Sequence, residues 1–335
     1  AEAILRRGAQ LHVILPINVE EFLEQSVRQC GDDSWERRFH AIRARATSER
    51  VFGDDYFHVS GTPFQMGVLL IDGYAAMLAQ SLGSGTHSCL TVWDGQAGDG
   101  LGGAASFAGH CVEMGHDTTA IDPMTGKSMP VGMEARQAAL KHSWRVLHIG
   151  ETRLEHRLGA FLFADAQGFG GLRETQIPAF ARIVLGSIRS AIAALPQPPR
   201  VVNTWGDGFF VVTDFPEQAA LLAMSLLGQA NKVNWRAEGL PGRITFRIGL
   251  HAGPAFVTEC DPVTQRANAY GRDVSLAARI EPIVEPGKAW ASHAFAVLHF
   301  ATSPQRRAFR DLGEHDLPKD AGRMLMYEVG AITAS

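Results

Sequence analysis

Three short segments carry side chains whose types and spacing suit phosphate chemistry with a divalent cation. The run Asn203-Thr-Trp-Gly-Asp-Gly-Phe-Phe-Val-Val212 reads as a β-rich stretch, a tight Gly-Asp-Gly turn and a second strand, which sets the Asp207 carboxylate at a hairpin tip. A carboxylate held by glycines between rigid strands is well placed to ligate a metal ion beside a phosphate. Asp-Gly is also the commonest hairpin turn, so alone the pattern says only that the chain reverses. The run Phe161-Leu-Phe-Ala-Asp-Ala-Gln-Gly-Phe-Gly170 is an apolar strand that ends in Asp165 and opens into a Gly-rich loop, with a helical pattern starting near Thr175 and Pro178. Backbone N–H groups of such a loop (Gly168, Phe169, Gly170) can meet phosphate oxygens, with Asp165 beside them for a cation. The third run, Tyr270-Gly-Arg-Asp-Val-Ser-Leu-Ala-Ala-Arg-Ile-Glu-Pro282, sets Ser275 and Arg279 four residues apart, one turn along the same helix face.

Together the three segments resemble the catalytic domain of the class III nucleotidyl cyclases, the adenylate and guanylate cyclases. A fourth stretch, Arg247-Ile-Gly-Leu-His-Ala-Gly-Pro254, is similar to the family's R-I-G-x-H-x-G strand and turn, and the resemblance runs from about Arg153 to the C-terminus. It implies an α+β, ferredoxin-like domain in which a nucleotide's ribose 3′-oxygen attacks its own α-phosphorus and expels pyrophosphate. Two divalent ions per site, Mg²⁺ or Mn²⁺, suit that reaction: one lowers the pKa of the 3′-hydroxyl and the other neutralises the triphosphate. The resemblance puts the metal ligands at Asp165, Asp207 and the Ala166 carbonyl, and the arginine that stabilises the transferring phosphoryl group at Arg279. Ser275 stands where many relatives carry a ribose-orienting asparagine; its hydroxyl is shorter and lacks the amide's second group. Lys319 matches the late lysine that reaches the triphosphate, with Lys288, in an exposed Pro-Gly-Lys turn, as a competitor.

Adenylate cyclases of this family read adenine with a lysine and an aspartate, and both positions, Asn203 and Asn268, are asparagine here. An amide offers a donor and an acceptor in either flip state, so the residues leave the base open. ATP is favoured on the family's habit, UTP or CTP being the alternative. His251 is expected to be a packed strand-end histidine and not a general base, and Gly253 to admit a close backbone approach. Family sites are shared across a two-fold interface, which implies a homodimer with composite sites. The competing reading is a catalytically weak nucleotide-binding signalling module, favoured by Ser275, Asn203 and Asn268 and opposed by Asp165, Asp207 and Arg279.

The elements that must position these residues occupy the second half of an ordinary globular sequence. At 335 residues and 46% hydrophobic, the chain is long enough for two domains with sizeable cores. Its 31 Lys plus Arg against 35 Asp plus Glu give a net charge of -4, which offers no electrostatic case for nucleic acid or a membrane surface. No apolar run approaches the roughly 20 residues of a membrane span, and Arg6 and Arg7 precede a short strand pattern without a signal-peptide cleavage site. Cys30, Cys89, Cys111 and Cys260 lie far apart with no Cys-x-x-Cys spacing, and read as reduced thiols in the cytoplasm with no zinc or disulfide framework. The chain opens on Ala1, not methionine, as suits a processed or trimmed form or a piece of something longer.

Residues 151–335 are expected to form the cyclase domain, in the order strand (158–164), helix (176–194), hairpin (200–213), helix (216–233), strand (244–251), helix (271–281), strand (287–292) and a terminal β pair, with helices on one face of the sheet. Residues 1–150 alternate strands at 11–16, 89–93 and 118–121 with helices at 20–30, 35–46, 67–82 and 103–114, the pattern of an open, mainly parallel α/β sheet. The Gly-rich run from Trp93 to Gly103, at a strand's carboxyl end, resembles the ligand loop of small Rossmann-like domains, so a regulatory role with a small-molecule ligand is expected, with Asp94 the residue to test. A separate nucleotide- or nucleoside-directed enzyme there would have only Asp94 or Asp99 to work with. A helix from Glu134 to Leu147 is expected to lead into the second domain.

Overall fold

The structure, a computed structural model, describes residues 1–52, 61–97, 101–135, 145–240, 242 and 244–332. The chain divides into two compact units, residues 1–75 with 79–143, and residues 144–335 with 76–78.

In the N-terminal unit, β1 (His12–Leu15) pairs in parallel with β2 (Ser48–Val51), a strand the sequence pattern does not announce. Separately, β3 (Ser88–Val92) runs parallel to β4 (Asp117–Ile121), which pairs antiparallel with β5 (Ser128–Pro130). Among the described residues the strands therefore make two small sheets and not one open, mainly parallel sheet. The helices are α1 (Glu2–Arg6), α2 (Val19–Phe22), α3 (Ser34–Arg43), α4 (Thr62–Ser81) and α5 (Ala104–Glu113), with α2 continuing through a π turn and a 3-10 turn to Cys30. Asp94 is exposed and accepts the Gln96 N–H at 3.0 Å, so it closes a turn; Asp99 lies outside the described residues. Of the helix expected over 134–147, Glu134 and Ala135 are helical and 136–144 lie outside the described residues, but Arg145–Ile149 is a strand, β6. The reason is local: Gly150, at φ 60°, opens a two-residue turn that pairs Ile149 with Thr152.

The second unit is built on one sheet in the order β13-β14-β12-β10-β7-β9-β8, where β7 is Thr152–Gln167, β8 Val201–Trp205, β9 Gly208–Thr213, β10 Thr245–Thr258, β12 Lys288–Ser292, β13 Arg307–Asp316 and β14 Arg323–Ile332. β11 (Asn268–Tyr270) adds to β10 and β6 to β7. The expected helix over 176–194 is three pieces: α6 (Ile177–Phe180), a π-wound stretch to Leu185, and α7 (Gly186–Ala193). Then come α8 (Pro216–Lys232), α9 (Arg272–Ile280) and α10 (His293–Thr302), the last N-capped by Ser292 Oγ, which accepts the Phe295 N–H at 3.1 Å. α8 buries Ala219, Leu222, Ala223, Leu226 and Ala230, a stripe at helical period. Every residue of β9 is buried, so both faces of the sheet are covered where one covered face was expected.

Side chains two apart share a sheet face, so the register fixes what can meet. One row across the strands runs Trp205, Gly208, Asp165, Arg247; the next row on that face runs Asn203, Phe210, Phe163, Gly249; the third runs Val201, Val212, Phe161, His251. This is the face on which α9 lies. A Cβ on Gly249 would stand 2.5 Å from the Glu281 backbone nitrogen, and one on Gly253 would stand 2.5 Å from the Asp273 carboxyl carbon. Two glycines four apart thus form the seat of the helix: Gly249 admits its backbone, whereas at Gly253, where a close backbone approach was expected, it is the Asp273 side chain that comes near, and His251 between them bonds it.

Candidate active site

Asp165 and Asp207 are brought together by the β7–β9 pairing and the two-residue turn Gly206-Asp207. Gly206 has φ 63° and Asp207 keeps negative φ, the pattern of a type II′ hairpin turn, and the Ala166 N–H donates to the Asp207 carbonyl at 3.0 Å. Asp165 Oδ2 accepts from Gln167 Nε2 at 2.5 Å and from Arg247 Nη2 at 3.1 Å. Burial, followed by the charge of Asp165 and a hydrogen bond shared with it, pushes the Asp207 carboxyl above its ordinary range, against a backbone bond and Arg247. Glu281, half-buried just past α9, is raised too, by burial and by the charges of Asp165 and Asp207, with Arg247 opposing. Its Oε1 lies 2.9 Å from Arg247 Nε, but neither atom has an aligned hydrogen bond, so the pair is a charge contact. Three carboxylates therefore gather around one guanidinium.

Asn203, one row away, donates Nδ2–H to Asn268 Oδ1 at 3.4 Å. Asn268 in turn donates to Asp261 Oδ2 at 3.2 Å, and its Oδ1 also accepts the Ala269 N–H at 2.9 Å. An ionised carboxylate only accepts, so Asp261 sets the flip of Asn268 that the amide alone leaves open. The Tyr270 hydroxyl, the backbone N–H groups of Val263 and Thr264 and the Asn268 amide hold Asp261 well below the usual carboxylate range, the tyrosine bond contributing most.

Ser275 and Arg279 share a face of α9. The Ser275 hydroxyl donates back to the Gly271 carbonyl at 3.2 Å, while Arg279 Nη1 donates to the carbonyls of Pro318 and Lys319, both at 3.2 Å. Arg279 thereby holds the turn on which Lys319 (φ 59°) and Asp320 (φ 54°) take the left-handed conformation, sparsely populated for side-chain-bearing residues. Among the described residues, neither Arg279 nor Lys319 shares a hydrogen bond or ion pair with Asp165 or Asp207. Lys288 starts β12 and pairs with Glu328 at 2.5 Å. Gly168, at φ 103°, turns the chain out of β7 into a short 3-10 turn (Phe169–Gly171), and the Phe169 ring packs on Phe180 at 4.8 Å.

His251 lies inside β10, not at its end, and is 3% exposed. Its Nδ1 is 2.6 Å from Ser292 Oγ and its Nε2 2.9 Å from Asp273 Oδ1. That burial suits a strut between β10, β12 and α9. A groove of about 840 Å³ at the other end of β7, along Arg153, Arg157, Arg200 and Asp214, includes none of the carboxylate-cluster or α9 residues in its walls.

The sequence pattern of the adenylate and guanylate cyclase catalytic domain matches residues 156–329, just over half of the chain. The chain belongs to that family. No curated protein matches the cyclase sequence. Solved structures similar to it include the adenylyl cyclase CyaB from P. aeruginosa, at 19% identity over 53% of this chain and 96% of that one, with a TM-score of 0.46. Another is the guanylate cyclase domain of RhGC from Catenaria anguillulae in complex with GTP, at 18% identity over 52% and 97%, with a TM-score of 0.45. An adenylate/guanylate cyclase/hydrolase from Silicibacter pomeroyi is 26% identical over 53% and 98%, with a TM-score of 0.41. Among the described residues of this cyclase no helix is long and apolar enough to cross a membrane.

Arg247 and Glu281 at the carboxylates, and Asp261 behind Asn268, have no role assigned from the sequence alone. The first two stand inside quoted motifs: the β7–β10 register sets Arg247 opposite Asp165, and the seating of α9 on Gly249 brings Glu281 to Arg247.

Proposed function

We propose that the second unit, with its boundary near residue 150, converts a nucleoside triphosphate, with ATP favoured, to the 3′,5′-cyclic monophosphate and pyrophosphate. The observation that carries this reading is the crowded pair Asp165 and Asp207 on a chain of cyclase family, with the Asp207 carboxyl raised beside its neighbour. Such a pair is a poor store of two negative charges and a good cage for oxygen-ligated divalent cations. Asp165, Asp207 and the Ala166 carbonyl would hold two Mg²⁺ or Mn²⁺ ions, which when bound supply charge for the triphosphate and acidify the ribose 3′-hydroxyl.

The chain's own residues do the rest. Gln167 and Arg247 orient Asp165 by donating to one of its oxygens. Backbone N–H groups of Gly168, Phe169 and Gly170 receive phosphate oxygens. Arg279 and Lys319, tied together by the Arg279 bonds to the Lys319 turn, act on the phosphates as one unit. Ser275 donates to the ribose and the Asn203–Asn268 pair, steadied by Asp261, meets the base edge. An asparagine amide suits adenine's adjacent donor and acceptor; cytosine offers the same pair and uracil a carbonyl beside a ring N–H that an amide also meets, so CTP and UTP remain the second choice. The 3′-oxygen bonds to the α-phosphorus as the bond to pyrophosphate breaks, and the hydroxyl proton passes to phosphate or water. In the homodimer, Asp165 and Asp207 of one subunit serve Asn203, Asn268, Ser275, Arg279 and Lys319 of the other.

The weaker-module reading has one observation behind it: Ser275 and Arg279 both spend hydrogen bonds on the backbone of their own chain. Incubating the full chain with each of the four ribonucleoside triphosphates and Mg²⁺ or Mn²⁺, with product analysis by mass spectrometry, separates the two. One cyclic product that vanishes in Asp207→Ala supports the cyclase and names its base. No product from a folded dimer supports the module.

A further inference from the structure

The N-terminal unit holds a second cluster of chemically active side chains, independent of the cyclase carboxylates. Asp72, in the middle of α4, has a side chain with no exposure, and three imidazoles converge on it. His87 Nε2 lies 2.7 Å and His116 Nε2 3.1 Å from Oδ1, while His110 Nε2 lies 2.8 Å from Oδ2. The two thiols Cys89 and Cys111, both buried, also come within 4.8 Å of the same carboxylate. The fold explains the convergence. The parallel register that pairs Ser88 with Asp117 sets the preceding residues, His87 and His116, side by side at the amino ends of β3 and β4, with ring centroids 4.2 Å apart. His110 and Cys111 come from the last turns of α5.

A buried carboxylate needs compensation, and three rings meet Asp72, with His87 and His116 together at Oδ1 and His110 at Oδ2. A divalent ion held between Asp72 Oδ1 and the Nε2 lone pairs of His87 and His116 would compensate that charge. The donor atoms of Asp72, His87 and His116 lie within 4.8 Å of one another, compatible with the roughly 3.4 Å ligand separations around a tetrahedral zinc ion. Nitrogen-rich donors disfavour Mg²⁺ and Ca²⁺, which take oxygen.

We propose that Asp72, His87 and His116 form a structural site for a borderline divalent transition metal of the zinc class, which ties α4 to the amino ends of β3 and β4, while His110 of α5 orients Asp72 through its other oxygen. The site sits at the end of the strands opposite to the Gly-rich loop at their carboxyl ends. Three protein donors from separate elements make the ion a clamp on the unit, so its loss is read in thermal unfolding.

The test strips the full chain with a chelator, returns Zn²⁺, removes excess and measures bound metal by mass spectrometry with thermal unfolding alongside. Wild type is expected to retain about one tightly held zinc per chain, and chelation to lower its unfolding temperature. Asp207→Ala is expected to keep that ion, which separates it from the cyclase carboxylates, whereas His87→Ala/His116→Ala loses it and unfolds at the same temperature with or without chelator. Should the double variant not fold, His116→Gln is expected to weaken retention by about 10-fold or more. Cobalt substitution reads the donor type: a tetrahedral d–d spectrum without a thiolate charge-transfer band supports the assignment. Failure of wild type to retain metal, retention unchanged in the histidine variants, or a thiolate band overturns it.

Discussion

Gly253→Ala is a small change with a calculable consequence. The new Cβ would stand 2.5 Å from the Asp273 carboxyl carbon and 2.7 and 2.9 Å from its oxygens, closer than any real Cβ contact. Asp273 has little room to yield: its side chain is 7% exposed and Oδ1 is bonded to His251, itself fixed by Ser292. Relief must come from moving α9 off the strand or from breaking the His251 bond. Overpacking of this kind costs about 1–3 kcal/mol, and a lost buried hydrogen bond adds about 1–3 kcal/mol. Taking a total near 3 kcal/mol, a unit of this size should unfold about 6–12 °C lower. Because α9 carries Ser275 and Arg279, cyclase activity should fall together with stability. The assay is a double-mutant cycle in urea with Asp273→Ala. If the clash is with the carboxylate, Gly253→Ala should cost at least about 1 kcal/mol less once Asp273 is truncated. Simple additivity of the two substitutions would refute the reasoning, because the strain would then lie elsewhere.

Asp207→Asn should lower cyclic nucleotide formation by about 100-fold or more, yet raise the unfolding temperature in EDTA at neutral pH. The Asp207 carboxyl is raised in the folded state, so its contribution to stability is lost as pH rises through that raised value, and removing the charge removes the loss; a lower unfolding temperature in EDTA would contradict this. Mixing equal amounts of Asp207→Ala and Arg279→Ala chains should restore about a quarter of wild-type activity, since half the dimers are mixed and each keeps one composite site of two; no recovery, with mixed dimers demonstrated by mass spectrometry, counts against a shared site. Burial takes His156 down to about 4, so the folded unit resists a proton that the unfolded chain accepts near the ordinary 6.5. Stability should therefore fall as pH drops from about 6.5 to 4, by up to about 3 kcal/mol, and His156→Phe should flatten that slope in urea titrations read by fluorescence.

Motifs that are local in the chain were legible in it. The hairpin tip at Asp207, the common helix face of Ser275 and Arg279, and the need for Gly253 follow from turn chemistry, helical period and the absence of a Cβ. What depends on register was not. Arg247 reaches Asp165 only because β10 lies beside β7 in one particular alignment, and Glu281 reaches Arg247 only because α9 is seated on Gly249; no spacing within a strand discloses either. Asp261 steadies Asn268 from across a loop whose closing bonds come from backbone N–H groups. The strand β7 extends well before the apolar run 158–164 because Thr152 to His156, polar except for Leu154, are held by a hairpin partner that the local pattern does not show. In the N-terminal unit, His87 and His116 meet Asp72 from separate elements, set side by side by a parallel pairing that no local spacing discloses.

The pairing of β7 with β10, continuous from Glu155 to Gln167, has a further consequence for how this domain can vary. Along such a ribbon, residue identity is negotiable but residue number is not. Removing or adding a single position between Gly159 and Asp165 would reverse the parity of everything beyond it, sending Asp165 to the face opposite Arg247 and presenting Ala164 or Ala166 in its place. Point changes here are graded in effect, whereas a change of length by one is a switch. An added or removed residue is therefore expected to be tolerated in the connections between elements, such as 194–200, where it alters a loop without inverting a strand.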